Sequence, residues 1–165
     1  MERAKTPYIV AFTGHRTYNH SHDDIVRNYV KGLIEGGARR FRIGMAEGFD
    51  LAAGSIVKQL RSSSPHPIKI ELYIPYPHFH AHLNDIDRHT YQMLFESADS
   101  VTFISESYHT GVYRQRNEAL VEGADLVVAW WNGRASGTGQ TVGYALKSGC
   151  HVKNLYRDQQ LELEI

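Results

Sequence analysis

Cysteine is almost absent from this sequence. Cys150 is the single one, which excludes an internal disulfide and fits a chain kept in a reducing compartment. Net charge is absent as well: Lys plus Arg number 18 and Asp plus Glu number 18. A formal balance of zero argues against non-specific nucleic-acid binding, which draws on a basic face, so nucleic acid is not an expected partner. The opening MERAKTPYIV holds no long apolar run. Neither a secretory signal nor a membrane span is expected there, and the expected location is cytoplasmic. Long internal repeats and low-complexity tracts are also missing. What is present is ordinary for a globular chain: 165 residues with 42% hydrophobic and 11% aromatic content. That length suits a single domain over residues 1–165, long enough to bury most of what the unfolded chain exposes.

Six apolar runs alternate with helical patterns. Tyr8–Phe12 reads as a first buried strand, and Phe41 to Ile43 as a short second one. Ile68, Ile70, Leu72 and Ile74 alternate with Lys69, Glu71 and Tyr73, a period of two that predicts an edge strand with one covered face. Val101–Ser105 is a fourth strand. Leu126–Trp131 is a fifth, whose unbroken apolar run suits a parallel strand buried on both faces. His151–Tyr156 is the last. Between them, Asp23-Asp24 open a helix with Ile25, Val26, Tyr29, Val30, Leu33 and Ile34 as its apolar stripe. Another helix runs from Leu51 to about Leu60, and Asn84 begins a third. Alternation of this kind predicts a single-domain Rossmann-like α/β fold with a mainly parallel central sheet flanked by helices. A strand order of 3-2-1-4-5 is expected, with the ligand crevice at its switch point. The tail from Gln159 to Ile165 is polar with alternating Leu161, Leu163 and Ile165, a pattern suited to pairing with a sheet edge or a partner chain.

The chemistry-bearing residues gather at the turns after strands. The first strand ends in Thr13-Gly14-His15-Arg16: a hydroxyl, a residue that permits close backbone approach, and a cation placed to reach phosphate. The second ends in Gly44-Met45-Ala46-Glu47-Gly48-Phe49-Asp50. Asp50 suits a helix cap, while Glu47 suits accepting ribose hydroxyls or acting as a general base, or is an exposed turn residue. The stretch Tyr113–Gly149 organises the rest. Arg116-Asn117 lie on a helix that Gly123 ends, the fifth strand follows, and Ser136-Gly137-Thr138-Gly139-Gln140 then lead into another helix. Glycines between a strand's carboxyl end and a helix start leave backbone N–H groups free for an anion, and Arg116 adds a guanidinium with phosphate geometry. A phosphate-bearing ligand is the expectation. His78, His80 and His82 would share a face in an extended chain, a metal-binding arrangement. No cysteine accompanies them and the prolines oppose a long strand, so neither a metal nor a cofactor is expected. Tyr76, Tyr108 and Tyr113 are placed to stack on or cover a ligand.

Thr13-Gly14-His15-Arg16, the Gly44–Asp50 turn, Arg116-Asn117 and Gly137-Thr138-Gly139, in this order and each at a strand's carboxyl end, resemble the SLOG superfamily. The chain is most similar to its YpsA family of small bacterial and phage proteins. The superfamily also holds the LOG phosphoribohydrolases and the DprA-like DNA-processing proteins. The resemblance implies a nucleotide-derived small molecule as ligand, ADP-ribose-like or NAD-derived, sensed or sequestered. It also implies at least a homodimer, with the helices around Met93 and Ala119 as candidate contact faces. LOG enzymes hydrolyse the N-glycosidic bond of a nucleoside monophosphate with an arginine and a PGGxGTxxE glutamate. Arg116 falls at the arginine. The glutamate position is taken by Thr141 or Val142, depending on register, which removes a group that would stabilise an oxocarbenium-like transition state. Only a relocated carboxylate such as Glu47 or Glu118 would restore that chemistry, so Glu47 and Arg116 are the catalytic candidates of the enzyme alternative. DprA-like single-stranded DNA binding is the second alternative.

Overall fold

The computed structural model describes residues 7–156, and the alternating C-terminal tail lies outside them. The element order is β1 (Ile9–Gly14), α1 (Asp23–Gly36), β2 (Arg40–Ile43), α2 (Phe49–Ser63), β3 (Lys69–Ile74), a short 3-10 helix (Phe79–His82), α3 (Asp85–Ser97), β4 (Ser100–Phe103), α4 (Val112–Val121), β5 (Leu126–Trp130), α5 (Gly137–Lys147) and β6 (His151–Asn154). All five strand pairings are parallel, in the order β4-β3-β2-β1-β5-β6. This is a Rossmann-like α/β sheet.

Alternation along each strand divides the core between two faces. Val10 and Phe12 of β1, Phe41 and Ile43 of β2, and Val128 and Trp130 of β5 pack with α1, α2 and α3. Ala11 of β1 and Val127 of β5 face Leu120 and Val121 of α4 and Ala145 of α5. Each fully buried Val, Ile or Phe stabilises by roughly 1.5–3 kcal/mol, so the larger first cluster carries most of the fold. The chain steps outward from β1 through β4 with α1 to α3 on that face. It then returns under α4 to set β5 against the other side of β1. The reversal of strand order at β1 leaves a crevice beyond its carboxyl end.

Two expectations about the sheet need correction. The third strand is not an edge: β3 lies between β2 and β4, and β4 occupies the edge instead of a place beside β1. Glu71 explains the alternating pattern. It is only 9% exposed, and it accepts from Arg40 Nε at 2.9 Å and Nη2 at 3.2 Å. Arg42 stands beside it with Nε 3.7 Å from Glu71 Oε1, while its Nη1 donates to the Leu120 carbonyl at 3.0 Å. A covered ion cluster thus occupies a sheet face where polar residues suggested solvent. Among the described residues, no helix is long and apolar enough to cross a membrane.

Candidate functional site

The turns after β1, β2 and β5 meet at the crevice. A Gly14 side chain would run into the Phe49 ring, and one at Gly48 would meet the His15 and Arg16 carbonyl oxygens at 2.6 and 2.5 Å. Gly48 also has φ +81°, a conformation that favours glycine. These two positions let the first and second turns close on one another. Phe49 N–H donates to the His15 carbonyl at 3.2 Å, and His15 N–H to that of Trp130 at 3.2 Å. The ring of His15 is held too, since its Nε2 accepts from Asn132 N–H at 2.9 Å.

The resulting cavity, about 390 Å³, is walled by Thr13, Gly14, His15, Arg16, Asp50, Arg116, Asn117, Ser136, Gly137 and Thr138, together with Ala46 and Tyr113. The remaining expected ligand contacts, Glu47, Gly48, Gly139 and Gln140, are not in that wall. Gly48 serves the turn. Gly139 packs under Trp131, whose Nε1 a side chain there would approach to 3.0 Å. Gln140 faces a separate groove between α4 and α5. Larger space lies at the opposite end of the sheet, about 690 Å³ around Asp125 and Cys150, away from these turns.

Ser136 is the N-cap of α5, and its hydroxyl accepts from Gly139 N–H at 3.0 Å. The first amides of a helix have no intrahelical acceptor, and those of Gly137 and Thr138 take no protein partner among the described residues. Across the cavity stands Arg116, expected on the sequence as a crevice guanidinium offered to phosphate. It is 4% exposed, with Nη1 donating to the Gly44 carbonyl and Nε to Asn117 Oδ1 at 2.8 Å. Burial pulls its guanidinium below the ordinary range, while Asp50 pulls it back; an arginine remains charged in either case.

Asp50 does not cap α2, whose N-cap is Gly48. The carboxylate turns inward, accepts from Ala46 N–H at 3.2 Å and is 5% exposed. Burial pushes it up to about 6 from 3.8, against the pull of Arg116 and the Ala46 amide. Glu47 sits at the rim, 3.4 Å from Arg16 Nη1 and 3.1 Å from His82 Nε2. Partial burial opposes its ionisation, but its own backbone amide, His82 and Arg16 outweigh this and hold it below the usual carboxylate range. The histidine run is not extended: it coils through the 3-10 helix, which breaks the shared face. Among the described residues, no group of three or more His, Cys, Asp or Glu side chains converges on a metal position.

Thr141 hydrogen-bonds the Gly137 carbonyl at 3.0 Å, and Val142 is buried in α5, so neither presents a group to the cavity. Glu118 faces the α4–α5 groove, 3.1 Å from Arg114. The carboxyl that does reach the cavity is Asp50, expected on the sequence as a helix cap and as one of the ligand contacts.

A Rossmann-like parallel sheet with a crevice at its switch point is the class that fold and cavity define. The chain belongs to the YspA SLOG family (YpsA), whose profile matches residues 10–161. It is 27% identical over 132 residues to the UPF0398 protein BH1768 of Halalkalibacterium halodurans, covering 71% of this chain and 68% of that one. The fold is similar to that of DNA processing protein A from Streptococcus pneumoniae, with TM-score 0.67, 19% identity and 88% of this chain covered. This chain spans about half of that protein, 49% of its length. DNA processing protein A from Helicobacter pylori, whose structure concerns a single-stranded DNA binding mode, aligns with TM-score 0.64 and 18% identity over 96% of this chain and 74% of its own. That finding overturns the expectation that nucleic acid is an unlikely partner. A protein with this fold binds single-stranded DNA, so zero net charge over the whole chain is no ground for ruling such a partner out.

Proposed function

We propose that the crevice binds the phosphate of a nucleotide-derived ligand, to sense or sequester it. One observation carries this reading: two amides at the start of α5, without a protein partner among the described residues, and a buried guanidinium border the same cavity. Such donors offset the hydration an anion loses, through charge-assisted hydrogen bonds and the positive end of the helix. A cavity of about 390 Å³ is in the range of small-molecule sites. Single-stranded DNA is the second reading, supported by the fold shared with the Helicobacter pylori protein; its backbone would present the same phosphate chemistry.

The test is calorimetric titration of AMP, ADP-ribose and a short single-stranded oligodeoxynucleotide into wild type and Gly137→Pro. Proline is tolerated at the first position of a helix and lacks the N–H, and a side chain at Gly137 meets nothing within 4 Å. The variant therefore removes one donor and leaves the helix. The expected loss is about 1.5–3 kcal/mol, the scale of a hydrogen bond to a charged group. Unchanged affinity in Gly137→Pro would refute the site. Chromatography of the same mixtures for released base distinguishes binding from hydrolysis.

A further inference from the structure

Beside the phosphate cavity lies a group of aromatic rings that phosphate binding does not use. Tyr113, in the first turn of α4, lines the cavity. Its ring centroid is 5.9 Å from that of Tyr108 and 6.5 Å from that of Tyr76, and Tyr76 and Tyr108 meet edge-on at 6.1 Å and 80°. Phe79, fully buried, backs both Tyr76 and Tyr113 at 5.9 Å. The Tyr76 and Tyr113 hydroxyls stand 3.3 Å apart, and the Arg16 guanidinium lies over the Tyr113 ring at 5.5 Å. Tyr108 alone is open, 59% exposed.

We propose that Tyr108, held by Tyr76 and Tyr113, is a stacking platform for the base of the bound nucleotide; the inference rests on the phosphate reading above. A single exposed aromatic needs no explanation. Here, however, the exposed ring is the outer member of a packed set whose inner member forms part of the anion cavity, so an apolar planar surface continues directly from the phosphate position. Rings fixed on two sides lose little further freedom when a base stacks on them, and every base offers a π-face. Glu47 completes the arrangement. Arg16, which overlies Tyr113, and His82, whose ring is 5.0 Å from that of Phe79, both hold its carboxylate. An ionised acceptor is thereby set beside the platform, where a sugar joining base to phosphate would present hydroxyls. The recognition is of a nucleotide unit and tolerant of base identity; that unit can be a free nucleotide or one residue of a single strand.

The test compares ribose 5-phosphate, AMP, UMP and a 5′-phosphorylated oligodeoxythymidylate on wild type, Tyr108→Ala and Tyr108→Phe. Tyr108→Ala is expected to weaken AMP and UMP about 5- to 150-fold, to leave ribose 5-phosphate within about twofold, and to be rescued by Tyr108→Phe. The same loss confined to the oligonucleotide, with no mononucleotide bound, supports the platform and assigns the strand as the source. If wild type binds AMP and Tyr108→Ala binds it equally well, or if ribose 5-phosphate loses as much as AMP, the platform is refuted while the phosphate reading stands. If wild type binds none of the four ligands, the phosphate reading fails and the platform with it.

Discussion

Asp50→Asn isolates the most unusual electrostatic feature of the crevice. In the folded chain this buried carboxyl keeps its proton up to about pH 6, against an ordinary 3.8. Between those values the folded state binds more protons than the unfolded one, so the contribution of Asp50 to stability falls as pH rises through that window. The gap corresponds to roughly 3 kcal/mol of destabilisation, fully developed above about pH 7. Asparagine keeps an oxygen to accept from Ala46 N–H and cannot ionise. Its extra amide hydrogens need partners, which lowers the net gain to about 0–2 kcal/mol at pH 7.5. Urea unfolding of both proteins between pH 4 and pH 8 measures the difference directly, because every other titrating group is common to both. The advantage of the variant should shrink steadily as pH falls from 7 toward 4. A difference independent of pH, or a less stable variant at pH 7.5, would refute this account of Asp50.

Nucleotide affinity of wild type relative to Asp50→Asn should rise as pH falls through about 6, since a neutral Asp50 no longer opposes an anion in the same cavity; titrations of both proteins at pH 5.5 and 7.5 should show this, the protonation of the ligand phosphate being common to both. Arg116→Ala should lower stability by about 2–3 kcal/mol, because it strands the Gly44 carbonyl and removes the charge that most favours the Asp50 carboxylate; denaturant midpoints at constant slope check this, and a neutral effect would contradict the buried role. Ser136→Ala should cost about 1 kcal/mol through loss of the cap on Gly139 N–H, measured the same way.

Much of this architecture was legible because apolar periodicity is a local signal. The runs at Val10–Phe12 and Leu126–Trp130, and the stripe of Val26, Val30 and Ile34 on α1, place strands and a helix without knowledge of their neighbours. The position of β3 was not legible. Its alternation depends on Glu71 finding Arg40 and Arg42 on the adjacent strand, and a pairing across strands leaves no mark on local spacing. At the site, Thr13–Arg16, Arg116 and Ser136–Thr138 could be picked out by strand-end glycines and a phosphate-type cation. The inward turn of Asp50 could not, because an acidic residue in a helix's first turn usually interacts with that helix's own N–H groups. It became visible only when Gly48 took the cap position and the Ala46 amide claimed the carboxylate. The burial of Arg116 was hidden for a similar reason: its partner, the Gly44 carbonyl, is 72 residues away in the chain.

The central claim is that phosphate sits at the amino end of α5, and amide chemical shifts test it most directly. Uniformly ¹⁵N-labelled protein titrated with AMP, and separately with the oligodeoxynucleotide, should show its largest amide shifts at Gly137 and Thr138, with Arg116 Nε–H moving alongside them. Saturating shifts centred instead on the α4–α5 groove around Gln140 and Lys147, or on the far end of the sheet around Asp125 and Cys150, with Gly137 and Thr138 unmoved, would contradict it.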